Sequence, residues 1–226
     1  MKNTILITGA SGNLGRAVVK KLRLEGYHII AIDATPPIGD FKKDDGIRTV
    51  QLDLMNESAV QEFIQGMKDD VAGAILTVGG FAMGDLHETT GDGLRSMLRL
   101  NFETAFYCVN SLLPEFEKRG SGQFVLIGAR PALDPDAGKS MVAYALSKGL
   151  IFALSEIINA YGKGKQIHST VIVPSTIDTP ANRKAMPDAD FSKWVSAADI
   201  AETIAFLFSQ AGSRVREGII KMYNEA

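Results

Sequence analysis

Residues 4–16 read TILITGASGNLGR: an apolar run, glycines at 9, 12 and 15, then the opening of a helical pattern. Glycine permits the tight turn and lets backbone come close to a ligand. The start of the following helix offers unpaired N–H groups and a positive dipole end, which suits a pyrophosphate. The spacing is G-x-x-G-x-x-G rather than G-x-G-x-x-G. Placed after the first strand, it predicts a dinucleotide seat at Gly9, Ser11, Gly12, Asn13, Leu14 and Gly15. Asp33 ends the next apolar run, HIIAID, near the distance at which an acid holds a ribose 2′-hydroxyl. A carboxylate there repels a 2′-phosphate, so NAD(H) is preferred and NADP(H) remains possible through Lys42 and Lys43 if loop 34–46 folds back. Asp53 and Leu54 stand either against the adenine or in an ordinary strand-end turn.

Outward from that turn, apolar runs alternate with helical patterns. Strands are expected near 4–8, 28–32, 48–52, 73–78, 123–128, 168–173 and 218–223. Helices are expected near 13–25, 57–67, 92–118, 141–161 and 196–210. Continuous apolar strands such as AILTV and FVLI suit a sheet covered on both faces. The alternation predicts an α/β fold: a Rossmann-type doubly wound parallel sheet of about seven strands with helices on both faces. No linker or repeat interrupts the chain, so 1–226 reads as a single domain. The stretches 34–46, 79–91 and 174–195 fit no regular element, and each follows a strand where an open parallel sheet places its ligand crevice.

Composition narrows the partners. A net charge of −2 gives no basic field for nucleic acid. The single cysteine, Cys108, forms no internal disulfide, sits in an apolar helical run and suits a reducing cytoplasm. A strand begins at about Thr4, which leaves no room for a signal peptide, and no apolar run is expected to approach the length of a membrane span. His28, His87 and His168 lack ligand spacing, so no metal site is expected.

The chemistry gathers at 123–161. A strand-like run ends near Ile127, a loop rich in Gly, Pro and Asp follows, and a helix opens near Met141 with apolar residues at 142, 146, 150, 153, 154 and 157. Tyr144 and Lys148 lie one turn apart on one face. A nearby ammonium favours the phenolate, so the pair is expected to lower the Tyr144 pKa and exchange protons near neutrality.

The chain resembles the short-chain dehydrogenase/reductase family. TGASGNLG, Asp33, LDL at 52–54, VGG at 78–80, Asn101 in LNFETAF, YALSK at 144–148 and PSTIDT at 174–179 occur in the family's order over nearly the whole chain. Pterin-reducing members resemble it more closely, in LIGARPALDPDAG and in DTPANRKAMPDADFSKW. The resemblance implies catalytic roles for Tyr144, Lys148 and Asn101, the last holding a water that relays protons through Lys148. It places Val78, Gly79 and Gly80 beside the adenosine, and Pro174, Thr176, Ile177 and Thr179 at the nicotinamide. It also makes 174–195 a substrate lid.

Where the family usually carries a serine, after the fifth strand, this chain has Gly128, Ala129 and Arg130, and Ser140 lies too far along the loop. Pterin-reducing members also lack that serine, and a quinonoid ring accepts hydride without it. The expected substrate is therefore a quinonoid dihydropterin or a similar small electron-poor molecule. Another NAD(H)-dependent carbonyl or quinone reductase, a non-catalytic dinucleotide sensor and a ligand-free structural domain compete with it. Phe81 stacks on a flat substrate or packs its own loop. Trp194 anchors the lid or lines the site. Arg183 and Lys184 reach the cofactor phosphates or stay solvated. A homodimer or homotetramer is implied through helices 92–118 and 141–161, with Phe102, Phe106, Leu112, Leu113, Ile151 and Leu154 at that interface or in the core.

Overall fold

The computed structural model describes residues 3–35, 41, 44–68 and 70–225. Lys42, Lys43 and most of loop 34–46, through which NADP(H) remains possible, lie outside the described residues. Strands β1 (Thr4–Thr8), β2 (His28–Asp33), β3 (Ile47–Gln51), β4 (Val71–Leu76), β5 (Ser121–Ile127) and β6 (Gln166–Pro174) join a late strand, Ile219–Met222, in one sheet. With two short strands, β7 (Ile177–Asp178) and β8 (Val195–Ser196), intervening, that late strand is β9. The order is β3-β2-β1-β4-β5-β6-β9 and every pairing is parallel. Strand order reverses between β1 and β4, where an open α/β sheet leaves its crevice.

The period-two alternation of strand side chains divides the core. Ile5, Ile7, Ile29, Ile75 and Val125 face α1 (Asn13–Leu24) and α8 (Ala197–Leu207). Leu6, Ile30, Ile32, Leu76 and Leu126 face the opposite layer, built from α2 (Glu57–Gln65), α4 (Thr104–Arg119) and α6 (Val142–Tyr161). The expected helix 92–118 begins as α3 (Gly91–Leu98), widens into a π turn at Arg99–Glu103 and continues as α4. Ser196 caps α8 by accepting from the Asp199 N–H at 3.0 Å.

Of the apolar positions that mark the helical pattern of α6, Leu154 is buried, whereas Leu146 and Ile157 are 55% and 65% exposed. The helix buries Ala143, Ser147, Lys148, Ile151, Phe152, Leu154, Ser155 and Ile158, because sheet and neighbouring helices cover that side. Leu112, Ile151 and Leu154 consequently belong to the core rather than to an assembly surface. Against the expectation that no apolar run approaches a membrane span, α6, at 20 residues, is long and apolar enough to cross a membrane by length and composition. Its apolarity comes from packing on the sheet on one side and from exposed Leu146, Leu150 and Ile157 on the other.

The segment 174–195 is also more ordered than expected. It holds β7, α7 (Pro180–Ala185) and β8, and β7 pairs with β8 in parallel through Ile177↔Val195 and Asp178↔Ser196. A short helix, α5 (Pro135–Gly138), interrupts the loop before α6.

At the amino end of β6, on the α1 and α8 side, His168 is buried beside Gln123 of β5, and among the described residues neither ring nitrogen has a hydrogen-bond partner. Burial, helped by the Arg216 cation, pushes the imidazole down to about 4. The native ring stays neutral while the unfolded ring takes up a proton near its ordinary 6.5. Stability is therefore lost as pH falls from about 6.5 to about 4, by roughly 2–3 kcal/mol. We expect His168→Gln to flatten the acid limb of melting temperature against pH. An unchanged slope between pH 6.5 and 4 would assign that limb to other groups.

Candidate functional site

The glycine turn leaves no room for side chains at two of its glycines. Gly9 has φ +63°, and a Cβ on Gly15 would lie 2.1 Å from the Gly9 carbonyl oxygen. Gly12 is the N-cap of α1 and brings no side-chain acceptor, so the first-turn N–H groups lack a side-chain cap. They face a cavity of about 590 Å³ at the carboxyl edge of the sheet. Of the residues expected at the cofactor, Gly9, Ser11, Gly12, Asn13, Leu14, Gly15, Asp33, Asp53, Leu54, Val78 and Gly79 all line it. Thr77, Leu100 and Thr104 line it as well and were not foreseen. The signal for Thr77 was its place just past a strand: its hydroxyl donates to the Thr8 carbonyl at 2.7 Å, and its N–H to the Thr8 hydroxyl at 3.2 Å.

Asp33 is buried and ties β2 to the glycine turn. Its carboxylate accepts from the Ser11 N–H at 3.0 Å and from the Ser11 hydroxyl at 2.7 Å. A carboxylate offers about four lone-pair sites, so acceptor capacity remains toward the cavity. Asp53 accepts from the Met55 N–H at 2.9 Å, an Asx-type turn that also presents Leu54 to the cavity wall. A cavity of this size, a glycine cradle that excludes side chains and a carboxylate at the second strand's end together fit a nicotinamide dinucleotide.

Gly79 joins this cavity to the Tyr144 helix. A Cβ on Gly79 would lie 2.9 Å from the Asn101 Oδ1 and 3.1 Å from the Lys148 Nζ. Asn101 sits in the π turn, fully buried, accepting from the Gly80 N–H at 2.7 Å and donating to the Ser147 hydroxyl at 2.9 Å. Its side-chain amide is engaged with protein on both sides. It thereby ties the segment after β4 to the π turn and to α6. Lys148 is 5% exposed and donates to the Ile127 carbonyl at 2.9 Å. The Tyr144 ring meets Phe81 edge-on, with centroids 5.1 Å apart.

The proton balance of the pair differs from expectation. Burial pushes the Tyr144 phenol up to about 12, whereas a lowered value was expected. Burial also pulls Lys148 down to about 8. Desolvation opposes both charged forms, and the Lys148 ammonium points to a carbonyl rather than to the phenol. At neutral pH the site thus holds a neutral phenol, able to donate a proton, beside a lysine that is still mostly ammonium and loses its proton near pH 8.

The remaining predicted contacts lie outside the cavity lining. Gly80 stands one residue past it, with its N–H on Asn101. Pro174 ends β6, the Thr176 carbonyl accepts from the Val195 N–H at 3.0 Å, Ile177 is in β7, and Thr179 caps α7 by accepting from Asn182 N–H at 3.1 Å. Arg183, half exposed, forms a two-pronged pair with Asp178 at 2.6 and 2.7 Å and lies over the Phe191 ring. Trp194 is buried against Phe191, and its carbonyl accepts from Asn224, so it anchors the base of segment 174–195. Ala129 is buried immediately after β5. The exposed Ser140 hydroxyl turns back to the Ala137 carbonyl at 3.3 Å. The loop 79–91 is pinned to the start of α6 by two backbone bonds of 2.9 Å, Gly84 N–H to Ser140 and Val142 N–H to Gly84.

Comparison with known proteins agrees with this geometry. The profile of the short chain dehydrogenase family matches residues 3–190. Dihydropteridine reductase of Dictyostelium discoideum is 29% identical over 225 residues, covering 96% of this chain and 93% of that protein. Among solved structures, a short chain dehydrogenase/reductase family oxidoreductase from Burkholderia thailandensis superposes with a TM-score of 0.88 at 20% identity, covering 98% of this chain and 91% of that one. ElxO, solved with NADP bound, superposes with a TM-score of 0.85 at 20% identity, covering 98% of this chain and 97% of that one.

Proposed function

This chain belongs to the short-chain dehydrogenase/reductase family, and from that premise we propose that it is an NADH-dependent reductase of a quinonoid dihydropterin or a similar small, flat, electron-poor substrate. The observation that carries the reading is the Tyr144, Lys148 and Asn101 cluster held against the dinucleotide cavity through Gly79, with an alanine methyl at position 129. The Dictyostelium dihydropteridine reductase supports the pterin, at 29% identity.

Bound NADH supplies the hydride. First-turn N–H groups of α1 and the backbone at Gly12 to Gly15 hold the pyrophosphate, Asp33 the adenosine ribose, and Asp53 and Leu54 the adenine edge. Pro174, Thr176, Ile177 and Thr179 set the nicotinamide face. Tyr144 donates its phenolic proton to the substrate nitrogen or oxygen that gains charge, and solvent restores that proton. Lys148 orients the nicotinamide ribose and stabilises the phenolate left behind. The Ala129 side chain donates no hydrogen bond, which suits an acceptor already electron-poor and handicaps a simple ketone. Phe81, edge-on to Tyr144, offers an apolar wall to a flat ring.

The buried Asp33 carboxylate favours NADH over NADPH, because a 2′-phosphate would meet a like charge. We further propose that the whole chain, 1–226, is one catalytic domain acting in the cytoplasm. Assembly as a homodimer or homotetramer is proposed through the exposed apolar residues Phe106, Leu146, Leu150 and Ile157 of α4 and α6.

Initial rates on quinonoid dihydropterin, beside a panel of aldehydes, ketones and quinones, test the substrate. The pterin is expected to lead with NADH, and NADPH to be at least about tenfold poorer. Asp33→Ser is expected to narrow that gap mainly by weakening NADH binding. Turnover of a ketone or quinone above the pterin would replace this substrate assignment with the broader reductase reading.

A further inference from the structure

A buried chain of hydrogen bonds runs from the cavity rim to the Tyr144 helix, and its polarity is set from one end. The Gly80 N–H can only donate, so the oxygen of the Asn101 amide faces it, at 2.7 Å. The amide nitrogen then faces the Ser147 hydroxyl, at 2.9 Å. With one lone pair so engaged, the hydroxyl sends its own proton to the Tyr144 carbonyl, at 2.8 Å. Ser147 is fully buried and Asn101 nearly so, so solvent does not compete. The chain links three separate pieces of backbone: the segment after β4, the π turn and α6.

A helical serine often bonds a carbonyl of the preceding turn, with no wider consequence. Ser147 differs because it also accepts from a residue 46 positions away, on another helix. Without the hydroxyl, the Asn101 amide loses its only oxygen acceptor among the described residues. It is then free to rotate away from Gly80. The neighbouring Gly79 bears on Lys148, and Gly80 packs on Leu100, which lines the cavity.

We propose that Ser147 is a positioning residue for the reaction. It fixes the height and rotation of α6 relative to the cavity, and with them the Tyr144 hydroxyl and the Lys148 amine. This rests on the reading that those two side chains carry the chemistry. It acts through Asn101 and the Tyr144 backbone and touches no reacting atom.

The test uses Ser147→Ala, Ser147→Cys and Ser147→Thr in the full chain. Ser147→Ala is expected to speed hydrogen exchange of the Gly80 amide at least about tenfold. Turnover should fall by about tenfold or more, since small displacements of catalytic groups are expensive in rate. The dissociation constant for NADH and the melting temperature should move little. Ser147→Cys keeps the volume with a weak donor and acceptor and should show the same two losses, so a failure of the alanine variant to fold does not remove the test. Ser147→Thr should recover both, because threonine in a helix bonds the same carbonyls. Combined with Asn101→Ala, the alanine change should add little, as expected for members of one chain. Native Gly80 exchange and native turnover in both Ser147→Ala and Ser147→Cys would overturn the proposal. If the unmodified protein reduces no pterin, the substrate reading fails, while Gly80 exchange still judges Ser147.

Discussion

Tyr144→Phe is expected to lower turnover by about 100- to 1,000-fold while NADH still binds. The substitution removes one oxygen and keeps the ring, so the edge-on contact with Phe81 at 5.1 Å survives. Desolvation pushes the half-buried phenol up to about 12, so it is a neutral donor throughout the physiological range. Removing it takes away a proton required as the substrate gains charge, an interaction made only on the way to the transition state. The loss should therefore appear in kcat and kcat/KM alike. NADH binding can be followed through Trp194, the single tryptophan. Unchanged turnover would show that the proton comes from elsewhere.

Lys148→Met should abolish most activity yet leave the protein at least as stable near neutrality. Burial holds the Lys148 amine down at about 8, against 10.5 in an unfolded chain. Below about pH 8 the native state confines an ammonium that the unfolded state hydrates freely, and that penalty is fully present. Between about 8 and 10.5 the native state has released its proton and the unfolded state has not, so stability rises with pH across that window. The penalty is on the order of 3 kcal/mol. Methionine fills similar volume without charge, although the Ile127 carbonyl loses its 2.9 Å partner, at about 1–3 kcal/mol. The two effects nearly offset at pH 7. The sharper expectation is that the variant's melting temperature, relative to the unmodified protein, declines as pH rises from 7 to 10. A gap that does not change with pH would show that Lys148 is not the buried cation described. Turnover should fall at least about 100-fold, as for loss of a positioned acid–base partner.

Much of the site was legible because its residues sit next to sequence signals. Glycines at 9, 12 and 15 follow a strand, Asp33 ends one, and Val78 and Gly79 follow another; all line a single cavity. The π turn at Asn101 was hidden, because a widened turn leaves no mark in the hydrophobic period of 92–118. So was the buried stripe of α6. Leu146, Leu150 and Ile157 repeat at helical spacing, yet they face outward, while Ser147 and Lys148 turn inward. Periodicity reports which side chains share a face, and it is silent on which face the rest of the molecule covers. In 174–195, the pairing of Ile177 with Val195 joins residues 18 positions apart through backbone bonds, which composition does not record.

The amino-acid sequence by itself determined the parallel α/β sheet, the dinucleotide turn and the identity of the chemical groups, because these rest on local spacing: period two, period 3.6 and glycines at fixed offsets. Tertiary structure alone decided the protonation of Tyr144 and Lys148 and the engagement of Asn101 with Ser147 and Gly80. Those properties depend on how much water and which distant dipoles surround a group, and both are set by the packing of α6 on the sheet.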